Sequence, residues 1–282
     1  MDFTLSTYKN LLQTLKSQGY TFVTFHDYIC STNQHVGLLA DKPITQSQPA
    51  TRNSQPILVL RHDVDLKPQN SLRFAQIQNQ LGIRGTYYFR IVPQSYQLHI
   101  VDQIVSLGHE IGYHYEDIDL VPNKSKLSEK QIAEMAIVLF EKHLAQLRQH
   151  YPVSTICMHG SPMSKFDNKL VWKYYSYSDY GIMAEPYFDV DYNKVFYITD
   201  TGRRWDGGSV SIRDKVQSTA SWPTFRHTRQ IIDAVSKGKF PHQAILNFHP
   251  QRWSNSPVPW AKELVWQSVK NIVKAVIVKH RT

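Results

Sequence analysis

The chain has 282 residues, enough for one α/β barrel or two smaller domains with a substantial core. With 41% hydrophobic residues, including 12 Phe, 16 Tyr and 6 Trp, it is not a disordered polymer. Lys and Arg number 32 against 23 Asp and Glu, but the +9 excess is spread along the chain without a long basic run or nucleic-acid motif, so a solvated basic surface is favoured over nucleic-acid binding.

The first residues, Met1 to Ser6, carry neither a basic nor an apolar signal region. No apolar run approaches the ~20 residues that cross a bilayer, and a cytoplasmic protein without a transmembrane segment is expected. Cys30 and Cys157 stand far apart, in neither a disulfide framework nor a Cys-rich metal site. A helix is predicted over 6–18, with Leu11, Leu12 and Leu15 on one face, then a short strand within 20–28. Residues 41–56 are rich in Pro, Gln, Ser and Thr and read as an irregular loop inserted into a single domain spanning 1–282.

Ile57-Leu58-Val59-Leu60 is a continuous apolar run, the mark of a strand buried on both faces of a parallel sheet. It runs into Arg61-His62-Asp63-Val64-Asp65. Alternating elements follow: a helix over 69–80, a strand over 85–90, a helix over 99–107, the segment Gly108 to His114, a helix over 128–149 and a strand over 154–158. Strands at 195–198 and 244–248 and a helix over 260–279 complete the pattern. Strand–helix alternation predicts βαβ units around a parallel sheet, with functional residues at the carboxyl ends of the strands.

Three segments carry chemistry. Asp63 and Asp65 are two residues apart in an extended segment, so both carboxylates point one way. Their repulsion is relieved by a cation on one of them, which leaves the other as a general base. Asp is equally common at turns and helix N-caps. Arg61 beside the pair can orient a carboxylate through two hydrogen bonds. Gly108-His109-Glu110-Ile111-Gly112-Tyr113-His114-Tyr115-Glu116-Asp117 combines imidazoles and carboxylates, the natural ligands of zinc and similar metals. His109 reads as a structural hydrogen-bonder and His114 as the ligand. Leu246-Asn247-Phe248-His249-Pro250 holds a His at a strand end in a stiff turn, where it can protonate a leaving group or serve as a buried hydrogen-bonder.

The order of these motifs over about 57–253 resembles the polysaccharide deacetylase superfamily, also called NodB-like or carbohydrate esterase family 4, and within it a surface-polysaccharide biosynthesis branch with an Arg-His-Asp-Val-Asp motif. The resemblance implies an α/β fold, a distorted (β/α) barrel, holding a divalent metal, most simply zinc. It implies Asp63 as base, Asp65 and His114 as metal ligands and His249 as general acid. It also implies removal of an N-acyl group, N-acetyl in the first instance, from a sugar or a nucleotide- or lipid-linked sugar. The family's second metal His falls on Ile118, which cannot ligate. The third ligand is then His159, in Met158-His159-Gly160-Ser161-Pro162, or Glu116, or water. Bracing of the base falls to Arg61 or Arg90. Asp200-Thr201-Gly202-Arg203-Arg204-Trp205 resembles a motif that shapes the pocket, so Asp200, Arg203, Trp205, Arg61 and Trp253 are expected at the substrate, although Trp205 is equally readable as core. The other reading is a decayed deacetylase fold that binds a sugar or partner without hydrolysis, and Ile118 is its main support.

Overall fold

A computed structural model describes residues 1–39, 55–161, 164–206, 214 and 216–281. Seven strands form one sheet: β1 (Thr21–Val23), β2 (Ile57–Val64), β3 (Thr86–Phe89), β4 (Glu110–Tyr115), β5 (Ile156–Met158), β6 (Phe196–Thr199) and β7 (Gln243–Phe248). Every pairing is parallel, in the order β5-β4-β3-β2-β7-β6. β1 lies against residues 57–59 of β2, on the edge whose remainder pairs with β3. The order ends at β5 and β6 without closing among the described residues, so the α/β sheet is a half-barrel.

The helices are α1 (Leu5–Ser17), α2 (Phe25–Leu39), α3 (Pro68–Gln80), α4 (Leu98–Ser106), α5 (Asp117–Leu120), α6 (Glu129–Arg148), α7 (Pro186–Asp189), α8 (Thr228–Ser236) and α9 (Pro257–Arg281). None of those described is long and apolar enough to cross a membrane. The alternation read from the sequence is present with shifted ends, and one element differs. The strand expected within 20–28 stops at Val23, because Thr24 begins α2: its hydroxyl accepts from Asp27 N at 3.1 Å and its carbonyl from Tyr28 N at 3.0 Å. The predicted loop 41–56 falls almost wholly outside the described residues.

β2 is the central strand, flanked by β3 and β7, and its two faces feed two cores. Leu58, Leu60 and Val64 join the large cluster under α1, α3, α4 and α6, with Phe74, Tyr87, Ile111, Ile137, Phe140 and Phe248. Val59 points the other way, with Tyr88, Cys157 and Ile245 of neighbouring strands and Phe25 and Ile29 of α2. Pleat alternation then sends Arg61 and Asp63 to the Val59 face and His62 to the Leu60 face. Gly112 lets β3 and β4 close up, since a Cβ there would stand 2.2 Å from the Tyr88 ring and 2.9 Å from the Thr155 carbonyl.

His62 is fully buried among aromatics, parallel to Tyr87 with ring centres 4.1 Å apart. Its Nδ1 is 3.0 Å from the Thr86 carbonyl, and its Nε2 is 3.1 Å from the Tyr8 hydroxyl and 2.9 Å from the Gln78 amide. His109 is the structural His expected, accepting from Gly85 N at 3.1 Å and facing the Ala75 carbonyl at 3.0 Å. Burial opposes the imidazolium in both rings, lowering His62 from 6.5 to about 3 and His109 to about 4.

These two shifts fix a sign. The unfolded chain protonates both rings near 6.5, whereas the folded chain resists, so stability is full above that pH and declines as pH falls towards about 4 and 3. Each pH unit in the window removes about 1.4 kcal/mol per ring at most. Urea denaturation with a chelator present should therefore show stability falling between pH 6.5 and 4. His62→Gln should make that decline shallower; an unchanged slope would remove His62 from the account.

Candidate metal centre and catalytic residues

Strand ends build the site. Asp63 is the penultimate residue of β2 and Asp65 follows that strand; His114 is the penultimate residue of β4; Arg90, His159, Asp200 and His249 each follow β3, β5, β6 and β7 directly. Carboxyl ends of parallel strands are the usual location of sites in such sheets.

Three donors converge. Oδ1 of Asp65 lies 3.5 Å from His114 Nε2 and 3.7 Å from His159 Nε2, and all three ligand atoms fall within 4.8 Å of one another. His114 Nδ1 is 2.9 Å from the Cys157 carbonyl, which can only accept, so the proton sits on Nδ1 and the Nε2 lone pair faces Asp65. Gln251 Nε2 donates to Asp65 Oδ2 at 2.9 Å, whereas Oδ1 is buried without a hydrogen-bond partner. Four donors ~2.1 Å from a tetrahedral ion stand roughly 3.4 Å apart. The orphaned oxygen, the fixed tautomer and the spacing fit a divalent cation. The Asp65 carboxyl is held well below its usual range: burial opposes ionisation but is outweighed by His114, His159 and His249.

A second cluster, Asp63, His114 and Cys157, is less suited to a metal. Burial pushes the Cys157 thiol well up, and the Asp63 oxygens are already engaged. Arg61 grips them through Nε to Oδ1 at 2.9 Å and Nη2 to Oδ2 at 2.7 Å, and Asn247 Nδ2 donates to Oδ2 at 2.9 Å. A carboxylate has about four lone-pair sites, so one on Oδ1 stays open. Burial alone would raise Asp63, but Arg61 foremost reverses this and lowers the group from 3.8 to about 2. Asp63 is therefore an ionised carboxylate in a fixed orientation.

Asp200 is fully buried behind His249 and accepts its Nδ1–H at 2.6 Å and its backbone N–H at 3.0 Å. Arg252 Nη1 and Trp253 Nε1 donate to the same carboxylate at 3.1 and 2.6 Å. The His249 Nε2 then faces the centre, 4.0 Å from Asp65 Oδ2.

The structure thus brings together Asp63, Asp65, His114, His159 and His249. Of the residues expected at the substrate, Arg61 grips Asp63, while Asp200 and Trp253 stand behind His249. Trp205 packs on Phe248 and donates to Thr228 Oγ1 at 2.9 Å, in the core. Arg203 stacks on Phe3 and Trp260, turned from the centre. Unassigned from the sequence were Asn247, Asp214 and the contact of Gln251 with Asp65. The carboxylate of Asp214 accepts from the hydroxyls of Tyr187, Tyr197, Thr199 and Thr201 beside Arg61. Proximity to His249 pointed to Asn247 and Gln251; no local signal pointed to Asp214.

No family model matches the chain, and no curated protein matches it in sequence. Similar solved structures include a CE4 family pseudoenzyme from Bacillus anthracis, 15% identical, covering 77% of this chain and 60% of that chain at a TM-score of 0.39. A mutant of that pseudoenzyme with restored enzymatic activity is 15% identical over 77% and 62% of the two chains, at a TM-score of 0.38. The Xyl-CE4 domain of a multidomain xylanase from the hindgut metagenome of Trinervitermes trinervoides is 12% identical over 78% and 85%, at a TM-score of 0.38. The chain spans 60% of the length of the first of these.

Removing one partner of a buried ion pair strands the other charge. Arg61→Met should cost roughly 3–5 kcal/mol of unfolding free energy in urea titration. A loss below about 1 kcal/mol would show that Asp63 does not depend on the guanidinium.

Proposed function

We propose that the chain is a metal-dependent hydrolase removing an N-acyl group, N-acetyl in the first instance, from a sugar of bacterial surface-polysaccharide biosynthesis. One observation carries the metal: the buried, unpartnered Oδ1 of Asp65 facing two imidazole nitrogens. The family resemblance of the strand-end motifs supports the substrate class, and the +9 charge, although spread along the chain, is compatible with a sugar on an anionic nucleotide or lipid carrier.

Asp65, His114 and His159 would hold the cation, and two imidazoles with one carboxylate suit zinc. When bound, such an ion supplies Lewis acidity towards an acyl carbonyl and makes water a nucleophile at neutral pH. The open lone pair of Asp63 takes a proton from the attacking water, while Arg61 and Asn247 hold the carboxylate still. His249, with Nδ1–H given to Asp200, would carry a second proton on Nε2 and give it to the departing nitrogen, returning to the neutral ring. The amide C–N bond breaks, leaving an amino sugar and a carboxylic acid.

Elemental analysis of the purified protein and an assay of acetate released from N-acetylated sugars test this reading. Stoichiometric zinc or a similar metal is expected in the wild type and a large loss of it in Asp65→Ala. Asp63→Asn and His249→Ala should keep the metal and lose about 10²–10⁴-fold in rate. A protein without metal, whose behaviour is unchanged by Asp65→Ala, would instead be a non-hydrolytic binder, the reading that Ile118 favours.

A further inference from the structure

Arg90 and Glu116 stand behind the candidate ligands, and neither is used in the chemistry above. Arg90 leaves the end of β3 and makes a two-pronged contact with Glu116, Nε to Oε1 at 2.9 Å and Nη2 to Oε2 at 2.6 Å. Its third nitrogen, Nη1, donates to the Asp65 carbonyl at 3.2 Å. Glu116 Oε2 lies 3.2 Å from His159 Nδ1. The geometry falls short of a hydrogen bond, so Glu116 stands beside Nδ1 without accepting from it. Glu116 is buried, and Arg90 and His159 draw its carboxyl below the usual range against the cost of burial.

His159 is also held through its backbone, His159 N donating to the Tyr115 carbonyl and Asn168 Nδ2 to the His159 carbonyl, both at 2.9 Å. These bonds place the Cα, and the imidazole packs edge-on against His114 with ring centres 5.2 Å apart. An anion beside Nδ1 favours the tautomer with its proton there and the lone pair on Nε2, towards Asp65. His114 achieves the same orientation with the Cys157 carbonyl of the neighbouring strand; the Nδ1 of His159, beyond its strand, has no hydrogen-bond partner among the described residues.

We propose that Glu116, clamped by Arg90, is the positioning residue of His159, and that one guanidinium thereby sets the separation of two ligands from different strands. Arg90 fixes the Asp65 backbone directly and the His159 ring through Glu116. Glu116 is then a support and not the third ligand that the sequence also allowed it to be. The inference rests on the reading of Asp65, His114 and His159 as a metal site.

The test is zinc affinity of the apoprotein by competition with a chromophoric chelator, together with the visible spectrum of the cobalt(II) form. Glu116→Gln keeps the shape and removes the charge; it should weaken zinc about 10–100-fold and alter the cobalt bands. Arg90→Lys, which keeps the charge and loses the fork, should weaken it in the same direction. In a His159→Ala background, Glu116→Gln should change affinity less than about twofold if it acts only through that ring. A support acting only on folding would lower apoprotein stability and leave the zinc affinity unmoved. Wild-type zinc affinity in Glu116→Gln, or an undiminished effect without His159, overturns this inference alone. Failure of the wild type to bind zinc, cobalt, nickel or manganese overturns the metal reading and this inference with it.

Discussion

Everything at this site follows from a strand buried on both faces that must carry Arg, His and Asp in succession. Ile57 to Leu60 commit β2 to the centre of the sheet, and pleating then sends Arg61 and Asp63 to one side and His62 to the other. None of the three can reach water, so each must be satisfied internally. His62 remains neutral within the Tyr8 and Gln78 network. Arg61 and Asn247 grip Asp63, so its carboxylate is held ionised and in one orientation beside a histidine cluster. A carboxylate free to rotate in the same place could take a proton and could not aim it.

The same logic recurs at the other strand ends, with an oriented donor or acceptor behind each functional group. Asp200 stands behind His249, the Cys157 carbonyl behind His114, Gln251 behind one oxygen of Asp65 and Glu116 behind His159. Asp214, collecting four hydroxyl groups beside Arg61, extends the polar layer away from the centre. Asp65 Oδ1 faces the centre without a hydrogen-bond partner, while His249, His114 and the other oxygen of Asp65 are each held from behind, the arrangement of a preorganised centre.

The strand–helix alternation was legible because apolar runs and helical periodicity are local signals, and so were Asp63, Asp65, His114 and His249, which stand at the ends of those runs. His159 was legible only as one of three alternatives. Its partnership with His114 depends on parallel register, which sets His114 beside Cys157 and brings the residue after β5 to Glu116. A search for two histidines four residues apart meets Ile118 and stops. An Asp followed by Trp resembles a pocket motif, but Trp205, as readable as core from the sequence, packs on Phe248, and Arg203, with left-handed backbone, has its side chain at Trp260. The strand read through Phe25 failed because an aromatic, β-branched run also suits a helix start once Thr24 caps it.

The strand order has a consequence for how the chain is assembled. β7 pairs with β2 from Ile57 beside Gln243 to His62 beside Phe248, and β6 reaches the sheet only through β7. During synthesis, the strand that ends in Arg61 and Asp63 therefore waits with one edge unpaired while the intervening residues emerge. Such edges template wrong partners. Asn247 and His249 arrive with β7, so Asp63 acquires its hydrogen bond from Asn247, and His249 its place beside Asp65, in the same event that closes the edge. Partly made chains would carry Asp65, His114 and His159 without His249, so the cluster of strand-end side chains is complete only when the sheet is.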